Sequence, residues 1–494
     1  MSYHQQHISS LKDASLFSGE AFIDGKWINK EKKFDVYEPS TSTVLGQVSD
    51  CSLDDFKAAI TSADKAQKSF FASTTGTSRG ALLRKWNDLI LENIDDLATI
   101  MSLENGKTIA EARGEVAYAA SFIAWFAEEA TRSYGVTIPS SVPHTTLMTI
   151  REPVGVCAII TPWNFPAAMI TRKVGPALAA GCSVVIKPPS ETPYSCIALT
   201  KLALRAGLPG DLIQVCPTKD RKAATELATN PLVKKLSFTG STGVGKMLAG
   251  LATGTLKKVS LELGGNAPFI VFDDANLDLA VEGAMFCKFR CTGQTCVCAN
   301  RLYVQKGVAK AFTEKLVKAV QNLKMGPGLD PTTTQGPLVN KAAVAKVQEH
   351  VADAVSKGAK VETGGKASIT TGFFYDPTVL SGVTPEMVVS KDETFGPLAP
   401  VFEFETEADV IALANDTEFG LAGYFFSQDI ARAMRMAHAL QVGMVGVNTG
   451  KISAAEAPFG GVKESGYGKE GSLYGLAEYQ NIKSITIGNQ NAGL

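Results

Sequence analysis

The sequence predicts an α/β fold made of two successive sheet domains. Short, almost continuously apolar runs rich in β-branched residues alternate with helical segments, which is the pattern of parallel sheets covered by helices. The alternation comes in two waves, which indicates two α/β domains. The length of 494 residues is sufficient for two or three domains.

The individual elements follow in chain order. Residues 54–133 predict a run of amphipathic helices, because their apolar residues recur three and four positions apart. The first wave has strands at PVGVCAIITP, CSVVIKP, DLIQVCP, VKKLSFTG and KKVSLELGG, with helices at PYSCIALTKLALRAG and RKAATELATN. The second wave has strands at APFIVFDDA, NRLYVQK, KVETGG, FFYDPTVL, APVFEF and MVGVN, with helices at 307–323 and 340–357.

Two segments fit neither wave. GVTIPSSVPHTTLMTIRE (135–152) and IKSITIG (482–488) read as short, polar-sided strands without an obvious local partner. Exposed strand edges of this kind are usually covered, often by another subunit. A solvated flap is the alternative.

Composition narrows the range of partners. Hydrophobic residues make up 45%, charged residues 20%, and the net charge is −1, which gives no electrostatic reason to expect a nucleic acid or a membrane. The N-terminus resembles neither a signal peptide nor a presequence, so we expect a cytoplasmic protein. Nine scattered cysteines predict reduced thiols rather than a disulfide framework.

FTGSTGVGKM (238–247) follows a predicted strand and opens a predicted helix, a context that suits phosphate. Gly240, Gly245 and Lys246 match an ATP-binding loop, but Met247 cannot hold Mg²⁺, so ATP is disfavoured. Thr242 stands where a dinucleotide fingerprint has its second glycine. A glycine-rich helix cap without a ligand remains the alternative.

CTGQTCVC brings Cys291, Cys296 and Cys298 together. A zinc site needs a second ligand pair nearby, and the five histidines form no cluster, so we predict no metal. No sequence motif identifies one of the histidines as the base of a Cys-His protease dyad. A thiol nucleophile can use a carboxylate through water, and Glu262 is the best-marked candidate. The alternatives are that the cysteine is a small buried core residue and that Glu262 is an ordinary surface charge.

A resemblance joins these residues. TPWNFP (161–166), KPPSETP (187–193), FTGSTGVG (238–245), LELGG (261–265), GQTC (293–296), ETFGP (393–397) and PFGGVKESG (458–466) resemble the signature set of the aldehyde dehydrogenase superfamily, in the same order. The resemblance covers the chain from about residue 20 to its end. It implies a Rossmann-type cofactor domain (1–134 and 153–262), a catalytic domain (263–475) and a β oligomerisation arm (135–152 and 476–494), in a homodimer or homotetramer.

The same resemblance implies the chemistry. Cys296 would attack an aldehyde as thiolate, and the resulting thiohemiacetal would become a thioester. The Asn164 amide and the Cys296 backbone N–H would stabilise the oxyanion. Glu262 would activate water for deacylation.

For the cofactor, the resemblance implies NADP or NAD. The residues it assigns to cofactor binding are Trp163, Lys187, Ser190, Gly240, Ser241, Gly245, Glu393 and Phe395. NAD-selective members often carry Glu where Ser190 stands. The neutral Ser190 therefore predicts that NADP is accepted, with NAD also used.

KFRCTGQTCVCANR, MITRKVGPALAAG and GMVGVNTGKISAAEAPFGG resemble the succinate-semialdehyde dehydrogenase branch of that family. The branch implies that Arg172 and Arg290 clamp a substrate carboxylate, with Ser453 as hydroxyl partner. A structural ion pair is the alternative for both arginines. Thr449 and Lys451 depart from the usual branch pattern, where Glu and Leu are frequent, so glutarate semialdehyde stays open.

Two further expectations concern regulation and activity. Cys298 lies two residues from Cys296 and is predicted to form a reversible disulfide with it, as a redox switch. An inactive binding or structural homologue is an alternative class. The joint presence of Asn164, Glu262, Cys296 and Glu393 favours an enzyme, and the branch implies a place in 4-aminobutyrate degradation.

Overall fold

The computed structural model describes residues 3–488, so residues 1–2 of the predicted cofactor domain and residues 489–494 of the predicted arm lie outside the described residues. We number helices and strands in chain order. The helices are α1 (Tyr3–Ile8), α2 (Leu53–Ser73), α3 (Gly76–Glu92), α4 (Ile94–Asn105), α5 (Ile109–Glu129), α6 (Ala168–Ala180), α7 (Tyr194–Arg205), α8 (Arg221–Thr229), α9 (Thr242–Ala252), α10 (Leu277–Phe289), α11 (Ala309–Gln321), α12 (Lys341–Ser356), α13 (Glu407–Asn415), α14 (Ile430–Ala439) and α15 (Ser472–Ala477). The strands are β1 (Ala21–Ile23), β2 (Lys26–Ile28), β3 (Lys33–Glu38), β4 (Thr43–Ser49), β5 (Thr137–Ile138), β6 (Thr146–Pro153), β7 (Val156–Ile160), β8 (Ser183–Lys187), β9 (Ile213–Val215), β10 (Val233–Thr239), β11 (Lys258–Glu262), β12 (Ala267–Val271), β13 (Ala299–Gln305), β14 (Lys360–Thr363), β15 (Thr378–Ser381), β16 (Leu398–Phe404), β17 (Phe419–Gly420), β18 (Ala422–Phe426), β19 (Met444–Val447), β20 (Val462–Lys463), β21 (Gly466–Tyr467) and β22 (Gln480–Ile487).

Two large sheets organise the molecule. The first has eight strands in the order β2-β1-β9-β8-β7-β10-β11-β21, and its central strands from β9 to β11 are parallel. The second has seven strands in the order β14-β15-β16-β13-β12-β18-β19, parallel except for β14 at its edge. The predicted α/β fold class is confirmed, and each strand named from the sequence in the two waves falls on one of these sheets.

Strand β7 shows why these runs are almost continuously apolar. Cys157 and Ile159 face the core that contains α3, α5 and α6, whereas Val156, Ala158 and Ile160 face the core that contains α2 and α8. Successive side chains of a strand point to opposite faces. A sheet covered by helices on both faces therefore requires apolar residues at every position.

The predicted helical run over residues 54–133 is confirmed as α2 to α5. Helix α4 ends at Asn105 and is capped by Gly106, whose φ is 87°. Thr108 then begins α5 with a capping box, in which the Thr108 hydroxyl accepts from the Glu111 N–H and the Glu111 carboxylate accepts from the Thr108 N–H. Helix α5 packs against α3 and α6 and carries a polar face into the interior.

The two segments without a local partner are partners of each other. Strand β22 pairs antiparallel with β6 along its whole length, from Gln480 opposite Pro153 to Ile487 opposite Thr146. Strand β5 adds to the other edge of β6. Because β6 and β22 are more than 320 residues apart in sequence, no local pattern predicts this pairing.

One short strand crosses between the predicted domains. Gly466 and Tyr467 form β21, which lies in the range 263–475 but extends the first sheet by pairing with Glu262 and Leu261 of β11. A strand of two residues has no periodicity that a sequence pattern could reveal.

Two absences hold for the part of the chain between residues 3 and 488. None of its helices has the length and apolar character needed to cross a membrane. No group of three or more His, Cys, Asp or Glu side chains is arranged there to hold a metal ion.

Candidate active site

Several of the predicted site residues lie at, or just after, the carboxyl ends of parallel strands in the first sheet. Trp163 and Asn164 follow β7, Lys187 is the last residue of β8, and Glu262 is the last residue of β11. Gly240 comes directly after β10. The carboxyl ends of parallel strands meet at one edge of a sheet, and ligands bind in the crevice outside that edge.

Cys296 lies on the connection between α10 and β13, after a sharp turn. Cys291 and Thr292 adopt left-handed backbone angles with φ of 49° and 58°, and Gly293 follows with φ of 73°. A Cβ at Gly293 would lie 2.2 Å from the carbonyl oxygen of Gly396, so only glycine fits. This close packing fixes the backbone just before Cys296.

A cavity of about 300 Å³ opens beside this turn. Four of the predicted site residues line it, namely Cys296, Arg172, Arg290 and Ser453, together with Cys291. Aromatic rings form much of the remaining wall, namely Tyr118, Phe165, Phe286 and Phe459. This volume lies at the small end of the range for ligand pockets and suits a small molecule with an apolar middle.

Burial of the Cys296 side chain raises the pKa of its thiol to about 12, although the nearby Arg172 charge opposes the shift. The thiol is therefore protonated near neutral pH. The Cys296 backbone N–H donates to no backbone carbonyl within residues 3–488, so it is available to an oxygen held beside the sulfur. A thiol becomes a strong nucleophile only as thiolate, so activation has to come from a base or a bound ligand.

Asn164 is buried and held from both ends. Its side-chain Nδ2 donates to the backbone carbonyl oxygen of Gln294 at 2.9 Å. The backbone carbonyl oxygen of Asn164 accepts from Lys107 Nζ at 2.8 Å. Lys107 forms a buried ion pair with Glu115, which also accepts from the backbone N–H groups at the start of α6. An amide nitrogen carries two hydrogens, so one N–H of Asn164 is left for a second acceptor.

Glu262 is buried at the end of β11, outside the cavity wall. Both of its carboxylate oxygens lack a hydrogen-bond partner within residues 3–488. Burial, reinforced by the charge of Glu470, raises the pKa of Glu262 well above its usual range, and the charges of Arg172 and Lys173 only partly oppose this. The carboxyl group is therefore a neutral acid in this state, which becomes a base when it loses its proton.

The charge of Arg172 is compensated. Its Nη2 lies 2.8 Å from Glu470 Oε2, and its guanidinium carbon lies 3.9 Å from the centroid of the Phe459 ring. Glu470 also pairs with Lys173, whose Nζ donates to Thr239 Oγ1 at 2.7 Å. The structural ion pair left open from the sequence is present at Arg172, although this side chain also lines the cavity.

Arg290 has no carboxylate partner among the residues that the structure describes. Its guanidinium carbon lies 4.5 Å from the centroid of the Phe286 ring and 5.5 Å from that of Phe165. No ion pair or hydrogen bond involves its side chain within residues 3–488, and its Nε is buried. Arg290 is thus a half-buried cation that faces a cavity without a partner.

Two glycines, one just before α9 and one in its first turn, permit close packing. A Cβ at Gly245 would lie 2.3 Å from the Leu263 side chain, and one at Gly240 would lie 2.5 Å from the Phe238 ring. Ser241 is the N-cap of α9, and its side chain makes no capping hydrogen bond. The N–H groups at the start of α9 are therefore exposed to an anion such as a pyrophosphate.

Glu393, Phe395 and Trp163 lie at the same crevice. Glu393 is half-buried and accepts from the Gly265 N–H at 3.2 Å, and desolvation raises the pKa of its carboxyl to about 7. Phe395 has φ of 55°, and its ring packs edge-to-face on Trp163 with centroids 5.5 Å apart. A carboxyl with one such bond has acceptor capacity left for ribose hydroxyls.

Lys187 at the end of β8 and Ser190 just after that strand are both half-buried. Burial lowers the pKa of Lys187, although the Glu191 charge opposes the shift. The Ser190 hydroxyl donates to Glu191 Oε2 at 3.0 Å. The expected acceptance of NADP rests on the missing carboxylate at position 190, whereas Glu191 places a carboxylate beside that position.

Cys298 does not line the cavity. It is fully buried, and its thiol donates to the Lys288 carbonyl oxygen at 3.7 Å. Burial raises the pKa of this thiol. All nine cysteines carry free thiols.

A comparison with protein families decides the class. The model described as "Aldehyde dehydrogenase family" matches residues 27–485. The chain belongs to the aldehyde dehydrogenase family. The resemblance found in the sequence motifs is therefore confirmed, and with it the class of oxidoreductase.

Similar members of the aldehyde dehydrogenase family carry two different substrate names. A glutarate-semialdehyde dehydrogenase of Pseudomonas aeruginosa is 55% identical over 97% of this chain and 99% of the relative. An NADP(+) succinate-semialdehyde dehydrogenase of Escherichia coli is also 55% identical, over 97% and 99%. The crystal structure of a succinate-semialdehyde dehydrogenase from Burkholderia pseudomallei superposes with a TM-score of 0.95 at 53% identity, covering 97% of this chain and 100% of that one.

One polar face of this aldehyde dehydrogenase, on α5, was not predicted from the sequence. Glu111, Glu115 and Tyr118 all line the cavity from α5. Their spacing of four and three residues places them on one helix face, a signal that was present in an otherwise apolar segment. Glu470 had no comparable signal, because its ion pairs join residues about 300 positions apart.

Proposed function

We propose that this aldehyde dehydrogenase oxidises succinate semialdehyde to succinate, with NADP or NAD as oxidant and Cys296 as nucleophile. One observation carries the proposal: a thiol and a cation without a carboxylate partner line the same small cavity. A buried donor without a partner costs about 1–3 kcal/mol. A substrate carboxylate at Arg290 would satisfy that donor while the aldehyde carbon lies at Cys296.

In this proposal the Cys296 thiolate attacks the carbonyl carbon and forms a thiohemiacetal. The second N–H of the Asn164 amide and the free N–H of Cys296 stabilise the oxyanion. Loss of one such donor typically raises the barrier by about 3–4 kcal/mol. The ion pair between Lys107 and Glu115 holds the Asn164 backbone in position.

A bound nicotinamide dinucleotide would supply the acceptor for the hydride that leaves the thiohemiacetal carbon, which turns the thiohemiacetal into the Cys296 thioester. The residues present fit such a group, because the exposed start of α9 suits a pyrophosphate and Glu393 retains acceptors for a ribose. Trp163, Phe395 and the small residues Gly240 and Gly245 would border it. Ser190 and Lys187 would meet a 2′-phosphate, and the neighbouring Glu191 favours the ribose hydroxyls of NAD, so both cofactors are expected.

Glu262 completes the reaction in this proposal by taking a proton from water, which hydrolyses the Cys296 thioester. Its oxygens have no hydrogen-bond partner in the described part of the chain, so they are available to a water molecule. The raised pKa of Glu262 makes it a stronger base than an exposed carboxylate once it is ionised.

The three-part organisation also remains a proposal. Residues 1–134 and 153–262 would form the cofactor domain, 263–475 the catalytic domain, and 135–152 with 476–494 the arm of a homodimer or homotetramer. The separate sheet of β5, β6 and β22 supports the arm, because it leaves apolar side chains exposed. We place the activity in 4-aminobutyrate degradation on the strength of the substrate.

A substrate panel tests the proposed function. Purified enzyme receives succinate semialdehyde, glutarate semialdehyde, butanal or pentanal, and the absorbance of reduced nicotinamide is followed with NADP and with NAD. We expect kcat/KM to be at least about tenfold higher for the carboxylated aldehydes, the effect of one charge-assisted contact. Equal values for charged and neutral aldehydes would refute the carboxylate site, and no turnover of any aldehyde would favour an inactive homologue.

A further inference from the structure

The cations around the cavity fall into two groups. Arg172 is paired with Glu470, and Lys107 is paired with Glu115. Arg290 and Lys451 have no carboxylate within ion-pair distance in the part of the chain between residues 3 and 488. The excess positive charge therefore lies with the second pair.

Arg290 and Lys451 both contact the same aromatic ring, that of Phe286. The guanidinium carbon of Arg290 lies 4.5 Å from the centroid of Phe286, and Lys451 Nζ lies 5.6 Å from it. Phe286 and Arg290 line the cavity, whereas Lys451 does not line it and is exposed. Lys451 thus contacts the ring of a cavity residue while its own side chain is exposed to solvent.

The backbone holds Lys451 in this place. Its N–H donates to Thr449 Oγ1 at 3.1 Å. A Cβ at Gly450 would lie 2.6 Å from Cys287 Sγ, so the loop is pressed against α10, the helix that carries Phe286. The ammonium group therefore moves only through its own flexible stem.

We propose that Lys451 is a specificity residue, which contacts the carboxylate of ω-carboxyl aldehydes one methylene longer than succinate semialdehyde. The inference rests on the proposed function and concerns the same site. The aldehyde carbon has to lie at Cys296, so an added methylene carries the carboxylate outward along the cavity. The carboxylate of the longer aldehyde then lies between Arg290 and Lys451 and contacts both cations, whereas the shorter one contacts Arg290 only.

One carboxylate of the cavity wall could oppose this binding. Glu111 lines the cavity, but its Oε1 accepts from the Cys291 N–H at 2.6 Å and its Oε2 accepts from the Thr108 N–H at 3.1 Å. These bonds hold its charge at the N-terminus of α5, where the helix dipole is favourable to it. Glu111 therefore does not neutralise Arg290 or Lys451.

The test compares wild type with Lys451→Met, which keeps the stem and removes the charge. Lys33→Met, an exposed change on β3, is the matched control. The substrates are glutarate semialdehyde, succinate semialdehyde and pentanal, at low and high salt. We expect kcat/KM of Lys451→Met to fall about threefold to tenfold for glutarate semialdehyde, less than twofold for succinate semialdehyde and not at all for pentanal. High salt should reduce the difference in kcat/KM between wild type and Lys451→Met for glutarate semialdehyde, because salt screens the charge of Lys451.

A binding readout without turnover accompanies the kinetics. Glutarate and succinate are tested as protectants of Cys296 against iodoacetamide, and Lys451→Met should weaken protection by glutarate more than protection by succinate. An equal loss for both carboxylated aldehydes, or no loss, overturns the role of Lys451 while the proposed function stands. If wild type has the same kcat/KM for pentanal as for the carboxylated aldehydes, both the role of Lys451 and the proposed function are overturned.

Discussion

At the scale of single residues, the proposed chemistry depends on two protons, one on the half-buried Cys296 thiol and one on the buried Glu262 carboxyl. Burial raises the pKa of the Cys296 thiol to about 12 and the pKa of Glu262 well above its usual range. Both groups hold their protons near neutral pH, yet the reaction requires the thiolate and the carboxylate. Arg172 favours both ionised forms, because its charge lowers both pKa values.

We therefore predict that kcat/KM for succinate semialdehyde rises between about pH 6 and about pH 9. A raised pKa means that the deprotonated, active form gains population as pH increases, so the slope is positive. The rate of Cys296 alkylation by iodoacetamide in the free enzyme should rise over the same range. A rate that is independent of pH, or falls, would contradict the assignment of these buried groups.

The redox role of Cys298 stays a prediction. Peroxide would oxidise the Cys296 and Cys298 thiols to a disulfide with release of water, and dithiothreitol would restore them. Because Cys298 is fully buried, the turn between the two cysteines has to rearrange. We expect inactivation that dithiothreitol reverses in wild type but not in Cys298→Ala. Full reversibility in that variant, or inactivation of wild type that dithiothreitol leaves unchanged, would exclude the switch.

At the scale of elements, the approach of α9 to β11 shapes the proposed cofactor site. Gly245→Ala would drive a Cβ into Leu263, whereas Gly243→Ala on the same helix meets no atom within 4 Å. We predict that Gly245→Ala weakens NADP binding at least about tenfold, because α9 has to shift. Gly243→Ala should bind normally and gain up to about 1 kcal/mol in stability, since alanine favours a helix.

Titration of intrinsic fluorescence with NADP measures both affinities, and thermal unfolding measures both stabilities. Equal affinities in the two glycine variants would show that the position of α9 does not govern cofactor binding.

The elements also show how far sequence patterns reach. The strands and helices that surround the cofactor crevice were predicted, because their apolar runs are long and bounded by turn residues. The left-handed turn at 291–293 was not, since Cys291 and Thr292 are residues that seldom adopt a positive φ. Strand β21 was missed because it has only two residues.

At the scale of the whole molecule, the site is assembled from distant parts of the chain. The cavity wall runs from Glu111 to Phe459, and motifs marked only those wall residues that lie in or near the signature segments. Glu115 and Tyr118 could be recognised only by their helical spacing. The partner of Arg172 could not be foreseen, because a long-range ion pair leaves no local pattern.

The three-stranded sheet carries the prediction for assembly. Ile482 on β22 is 66% exposed, and we expect another subunit to cover it. Ile482→Glu should shift the enzyme to smaller species in analytical ultracentrifugation. Ile430→Glu on α14, where the side chain is 77% exposed, should not. Unchanged sedimentation of Ile482→Glu, or an equal shift in both variants, would contradict the arm.

The most direct test of the account is to trap the covalent intermediate. Glu262→Gln enzyme is mixed with succinate semialdehyde and NADP, quenched in acid and digested, and the peptides are analysed by mass spectrometry. Because Glu262 is assigned to hydrolysis of the thioester, we predict that the succinyl group accumulates on Cys296. An adduct on Cys291 or Cys298 instead, or no adduct together with normal turnover, would contradict the central claim.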